Sequence, residues 1–142
     1  MYFLLPNKTK ETYDRMFTAY KQLIPVEPRK LLLDFERAAH EAFHAVYPNV
    51  PTVGCFFHLR QSVQHKVQEL GLKLRYEQDM EFNILVKSLT SLAFVPPDEV
   101  SGLFEELVEV FPEEEACDDL LSYYKRTYVQ GDIIRHELRN FL

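Results

Sequence analysis

Residues 31–59, LLLDFERAAHEAFHAVYPNVPTVGCFFHL, decide how this chain folds. The apolar run Leu31 to Leu33 ends on a carboxylate at Asp34. An amphipathic segment with Ala39, Ala42, Phe43 and Val46 on one face carries the chain back and closes at Pro48. A second apolar run, Val50 to Phe57, then delivers Cys55 and His58. Strand, helix and strand in that order, with under 20 residues between strands, is the pattern of a parallel βαβ crossover. Ligands and catalytic groups in open α/β sheets gather at the carboxyl ends of strands, so the chemistry is expected at Asp34, Cys55 and His58.

Upstream, Tyr2 to Leu5 is a short apolar run expected as a further strand, ended by Pro6-Asn7. The chain thus opens on a structured element, and a preceding segment is expected. Asn7 or Thr9 can cap a helix in which Tyr13, Met16, Phe17, Tyr20, Leu23 and Ile24 recur at helical spacing, and Pro25 and Pro28 stop it.

Downstream of His58 the pattern is helical throughout. Leu59, Val63, Val67 and Leu70 line one helix, with Gly71 as its C-terminal cap. Phe82, Leu85, Val86, Leu89, Leu92 and Ala93 line a second, stopped by Pro96-Pro97. Asp98 can cap a third, with Val100, Leu103, Phe104, Leu107, Val108 and Phe111 inside. Cys117, Leu120, Leu121, Tyr124 and Tyr128 line a fourth. From Gln130 the sequence has no clean period.

With 142 residues, 46% hydrophobic and 27% charged, the chain has the size and composition of one globular domain. No apolar run approaches the ~20 residues of a membrane span, and Met1 to Pro6 lacks the basic leader of a signal peptide. A nuclear or cytoplasmic protein is expected, with Cys55 and Cys117 as reduced thiols. The net charge of -6 is unevenly placed: residues 98–119 carry ten acids and no base. That block opposes a polyanion such as DNA.

Three constellations could carry chemistry. Asp34 at a strand end can hold a divalent cation, or it can cap the helix expected from Phe35. Cys55 and His58 form a C-x-x-H pair, which supplies two of the four ligands of structural zinc; the imidazole could instead position a phosphate, or the pair could be a buried thiol beside a solvent-facing His. His40-Glu41-Ala42-Phe43-His44 matches the H-E-x-x-H of zinc peptidases, but a third ligand would be needed, and a chance match on a solvated helix face is the expected explanation, with a zinc peptidase as the weaker alternative.

The segments YFLLPNKTKETYDRMF, LLLDFERAAHEAFHAVYPN, GCFFHLRQSVQHKVQELGL and LTSLAFVPPDEV, between about Tyr2 and Tyr128, resemble in order and spacing a Mutator-like (MULE) transposase domain. The resemblance implies a ribonuclease H-like fold of the D-D-E type, whose three acids bind two Mg2+ or Mn2+ ions and cut DNA. Asp34 in LLLDFE matches the second acid, and Cys55 and His58 in GCFFHL match the C-x-x-H motif that follows it. The expected architecture is α/β: a partial ribonuclease H-like core of about three strands over residues 1–59, an all-helical insertion over 60–129, and an unassigned tail over 130–142.

The first acid of the family lies on a strand before the YFLL element, and the third lies beyond the insertion. Glu137 in HELRNFL does not match the third acid's context. The expected function is therefore that of a transposase-derived domain without cutting activity of its own, which would not hold Mg2+ or Mn2+ stably. A non-catalytic interaction module that self-associates through an exposed sheet edge is the alternative.

Overall fold

The computed structural model describes residues 2–130. Its elements in order are α1 (Lys10–Leu23), β1 (Leu31–Leu33), α2 (Arg37–Val46), β2 (Thr52–Gly54), α3 (Phe56–Glu69), α4 (Lys73–Gln78), α5 (Met80–Ser91), α6 (Val100–Val110) and α7 (Glu115–Tyr124). A 3-10 turn, Leu92–Phe94, extends α5, and a π-helical turn, Lys125–Val129, extends α7. The described chain is thus mixed α/β and mostly helical.

The crossover read from residues 31–59 is present, because β1 and β2 pair in parallel with α2 between them. The third strand is not. Tyr2 to Leu5 has no strand structure, and the side chains of Tyr2 and Leu4 are fully exposed. A strand exists only beside a neighbour that takes its backbone hydrogen bonds. The two-stranded sheet of the described residues contains β1 and β2 alone, so this segment lacks one. It lies instead along α1, where Phe3 meets Tyr20 edge to face at 6.4 Å. The expected strand from Val50 to Phe57 is likewise shorter, since α3 takes over at Phe56.

Local chemistry explains where the helices begin and end. The Thr9 side chain caps α1 by accepting from the Thr12 N–H, and Ile24, held extended before Pro25, ends it. Gly71 adopts φ 73°, while its N–H bonds to the Gln68 carbonyl and that of Leu72 to the Val67 carbonyl, closing α3 with a Schellman motif. Asp79 caps α5 by accepting from Glu81 and Phe82 N–H. Asp98 does not cap α6, because that helix starts one residue later and its N-cap is Glu99.

The apolar side chains divide between two cores. In the smaller, Phe17 of α1 packs edge-on against Phe43 of α2 at 5.3 Å, with Ala42, Tyr47 and Val50 around them. The larger is built by α3 to α7 and contains Leu59, Val63, Phe82, Leu89, Phe104 and Tyr124. Phe35 and Phe56, which follow β1 and β2, both pack against this larger core. The helical block therefore grips the sheet at the ends of its strands.

Candidate functional site

The site forms at the carboxyl edge of the two-stranded sheet. Leu31 lies opposite Thr52, Leu32 opposite Val53 and Leu33 opposite Gly54. Asp34 and Cys55 each follow directly on the last pair, Leu33 and Gly54, where both strands end. His58 follows in the first turn of α3. The three residues singled out from the sequence thus come to one end of one sheet.

The aromatic residue after each strand end is anchored in the helical block. Phe35 meets Tyr128 edge to face at 5.4 Å, and Phe56 lies 4.7 Å from Phe94. Tyr128 also meets Tyr123 edge to face at 6.1 Å. Burial raises its pKa well above the usual phenol value, so it stays protonated.

Asp34 does not cap α2, which begins at Arg37 with Glu36 as N-cap and no side-chain cap bond. The half-buried Asp34 carboxylate stands ahead of the helix instead. Its charge acts on His40, one of three buried polar residues among those described. Burial, reinforced by the charge of His44, lowers the His40 pKa to about 4, with Asp34 opposing the shift. His40 is therefore neutral at physiological pH.

Glu36 is a residue that motif reading passed over. Its carboxylate accepts from the Tyr13 hydroxyl at 3.1 Å and pairs with Lys8 at 3.4 Å, tying α1 to the start of α2. Burial and this bond raise the Tyr13 pKa. Only the adjacency of an acid to LLLDF hinted at Glu36; its partners lie more than 20 residues upstream.

Cys55 is the N-cap residue of α3 and makes no side-chain cap bond. His58 is half-buried, and its Nδ1 is buried without a hydrogen-bond partner among the described residues. In the HEAFH segment, His40 and His44 are 6.2 Å apart between ring centroids. The His44 Nε2 lies 3.4 Å from the Thr52 hydroxyl, and Glu41 pairs with Arg37 at 2.6 Å. Among the described residues no group of three or more His, Cys, Asp or Glu side chains could hold a metal ion.

Residues 1–62 match the family model of the MULE transposase domain. The MULE-matching segment runs from the chain start into α3, through both strands, and includes Asp34, Cys55 and His58. It confirms the resemblance read from the motifs over that span. The match stops at Ser62, so most of the helical block lies outside it. No curated protein and no solved structure matches the chain. No described helix is long and apolar enough to cross a membrane.

Proposed function

We propose that the MULE-matching segment is part of a ribonuclease H-like transposase core that acts on DNA. In this reading Asp34 is the second of the three metal-binding acids, and Cys55 and His58 are the neighbouring C-x-x-H motif. The observation that supports the reading is the parallel β1–β2 pairing inside the matched residues, whose last pair, Leu33 and Gly54, is followed on one strand by Asp34 and on the other by Cys55. The helical block is then the beginning of the insertion that follows the second acid, and the site of action would be nuclear.

Such a core works with two divalent ions, which activate the attacking oxygen and neutralise charge on the phosphate. The described residues do not fit that centre. Asp34 brings one carboxylate to the strand ends, and no group of three candidate ligands forms around it. Glu137, the late glutamate of the sequence, lies outside the described residues. We infer that this chain by itself does not cut DNA. In a nicking assay on supercoiled DNA with Mg2+ or Mn2+, the purified chain should leave the substrate intact. Nicking that disappears in Asp34→Asn would overturn this.

A second reading is favoured by the outer edge of β1. Among the described residues this edge has no strand beside it, and Leu32 is 63% exposed. Unpaired strand edges recruit other strands, so a non-catalytic module that self-associates here is the alternative. Light scattering coupled to size exclusion separates the two: a monomer at all concentrations counts against self-association. The zinc-peptidase reading of HEAFH has less support, because Glu41 is held by Arg37 and His44 faces Thr52. Zinc retained at one ion per chain after dialysis would revive it.

A further inference from the structure

Where α3 packs against α5, a notch of about 20 Å³ is lined by Arg60, Gln64, Tyr76, Lys87 and Thr90 over a floor of the buried Val63 and Val86. None of the lining residues is acidic. The other bases of α3 to α5 are paired: Lys66 with Glu69, Lys73 with Glu77, and Arg75 with Asp79 and Glu114. Arg60 and Lys87 make no ion pair among the described residues, and both are exposed. The Lys87 carbonyl accepts from the Thr90 and Ser91 hydroxyls, which fixes the backbone under its side chain. The ten acids of residues 98–119 fall on α6, α7 and their flanking turns, and none of them lines the notch.

We propose that Arg60 and Lys87 form a contact for the phosphate backbone of a nucleic acid lying across the α3–α5 groove. A rim that offers guanidinium, ammonium and amide donors and no carboxylate selects an oxyanion. The notch has room for about one water, so it cannot enclose a free phosphate. An extended strand with successive charges can instead bridge the two cations from outside. The choice of nucleic acid among polyanions rests on the transposase reading; the position of the contact does not.

The test is fluorescence anisotropy with a labelled 20-base-pair DNA and the full chain in EDTA, where no metal-dependent cutting can contribute. Each neutralised phosphate steepens the salt dependence by about 0.9 in log–log slope. The double variant Arg60→Gln/Lys87→Gln should therefore show a slope shallower by about 1.8. Wild type should then lose roughly tenfold more affinity than the double variant between 50 and 200 mM salt. Lys73→Gln, which removes a base paired with Glu77, should bind as wild type does. Thermal melts of all three proteins check that these exposed substitutions leave the fold intact. The inference is overturned if wild type shows no salt-sensitive binding, or if the double variant keeps its slope. An equal loss in Lys73→Gln overturns it as well. Poly-glutamate of matched charge competing as well as DNA would keep the groove as an anion contact but overturn nucleic acid as its ligand. The groove is read by binding in EDTA and the strand-end site by nicking in Mg2+ or Mn2+, so a failed nicking test and a failed groove are told apart.

Discussion

Phe35 and Tyr128 meet edge to face at 5.4 Å, although 92 residues of mostly helical chain lie between them. Phe35 directly follows the strand-end carboxylate Asp34, and Tyr128 sits in the π-helical turn near the end of the described chain. The contact makes the last turn of the helical block a buttress for the loop that presents Asp34. Phe56 against Phe94 does the same for the loop after Cys55.

Removing the buttress should be costly. Tyr128 is almost fully buried, so Tyr128→Ala is expected to lower unfolding free energy by about 3 to 5 kcal/mol, as for other buried aromatics. Tyr128→Phe keeps the ring contact and loses only the hydroxyl, at a cost of no more than about 1 kcal/mol. Urea denaturation of the two variants measures both, and equal losses would mean that the ring itself contributes nothing.

Acid should weaken the fold through His40. Its pKa is about 4 when folded and near 6.5 when unfolded, so below pH 6.5 the unfolded chain binds the additional proton. Stability from this residue is complete above pH 6.5 and is lost as pH falls toward 4. The loss is about 3 kcal/mol at 1.36 kcal/mol per pKa unit. Denaturation curves at pH 7, 5.5 and 4.5 should show that decline, and His40→Gln should flatten it.

Gly71 should resist replacement for reasons of backbone geometry alone. A Cβ built there meets nothing within 4 Å, yet φ is 73°. Gly71→Ala is expected to cost about 1 to 2 kcal/mol, the usual penalty for a left-handed residue with a side chain, and Gly71→Asn less. A melt in which Ala at this position costs nothing would show that the Schellman motif is not what ends α3.

Much of this was legible in residues 31–59. The alternation of apolar runs and an amphipathic segment gave the βαβ crossover, and Gly71 and Thr9 marked helix ends through local chemistry that needs no tertiary context. Tyr2 to Leu5 misled because strand propensity describes a preference, whereas a strand needs a partner for its backbone groups. α4 escaped notice because KLRYEQ carries too few apolar residues to show a period; Arg75 secures it by donating from one nitrogen, Nη1, to both carboxylate oxygens of Glu114 at 2.7 and 2.8 Å, 39 residues away. The expected capping role of Asp34 failed by a shift of two residues in the start of α2. At the site, the sequence named the strand-end residues but could not supply the register that ends β1 and β2 on the pair Leu33 and Gly54. It also gave no sign that Phe35 and Phe56 would be gripped by the helical block.

The neighbourhood of Asp34 and Cys55 is the claim on which the functional reading stands, and a disulfide tests it most directly. A cysteine pair is bridged when its Cα atoms lie about 4.4 to 6.8 Å apart, a range that includes adjacent positions on paired strands. Asp34→Cys, oxidised as a monomer at low concentration and mapped by peptide mass, should form an intramolecular bond to the native Cys55. Recovery of both residues as free thiols, in a protein whose melt matches wild type, would contradict the register and with it the placement of the site.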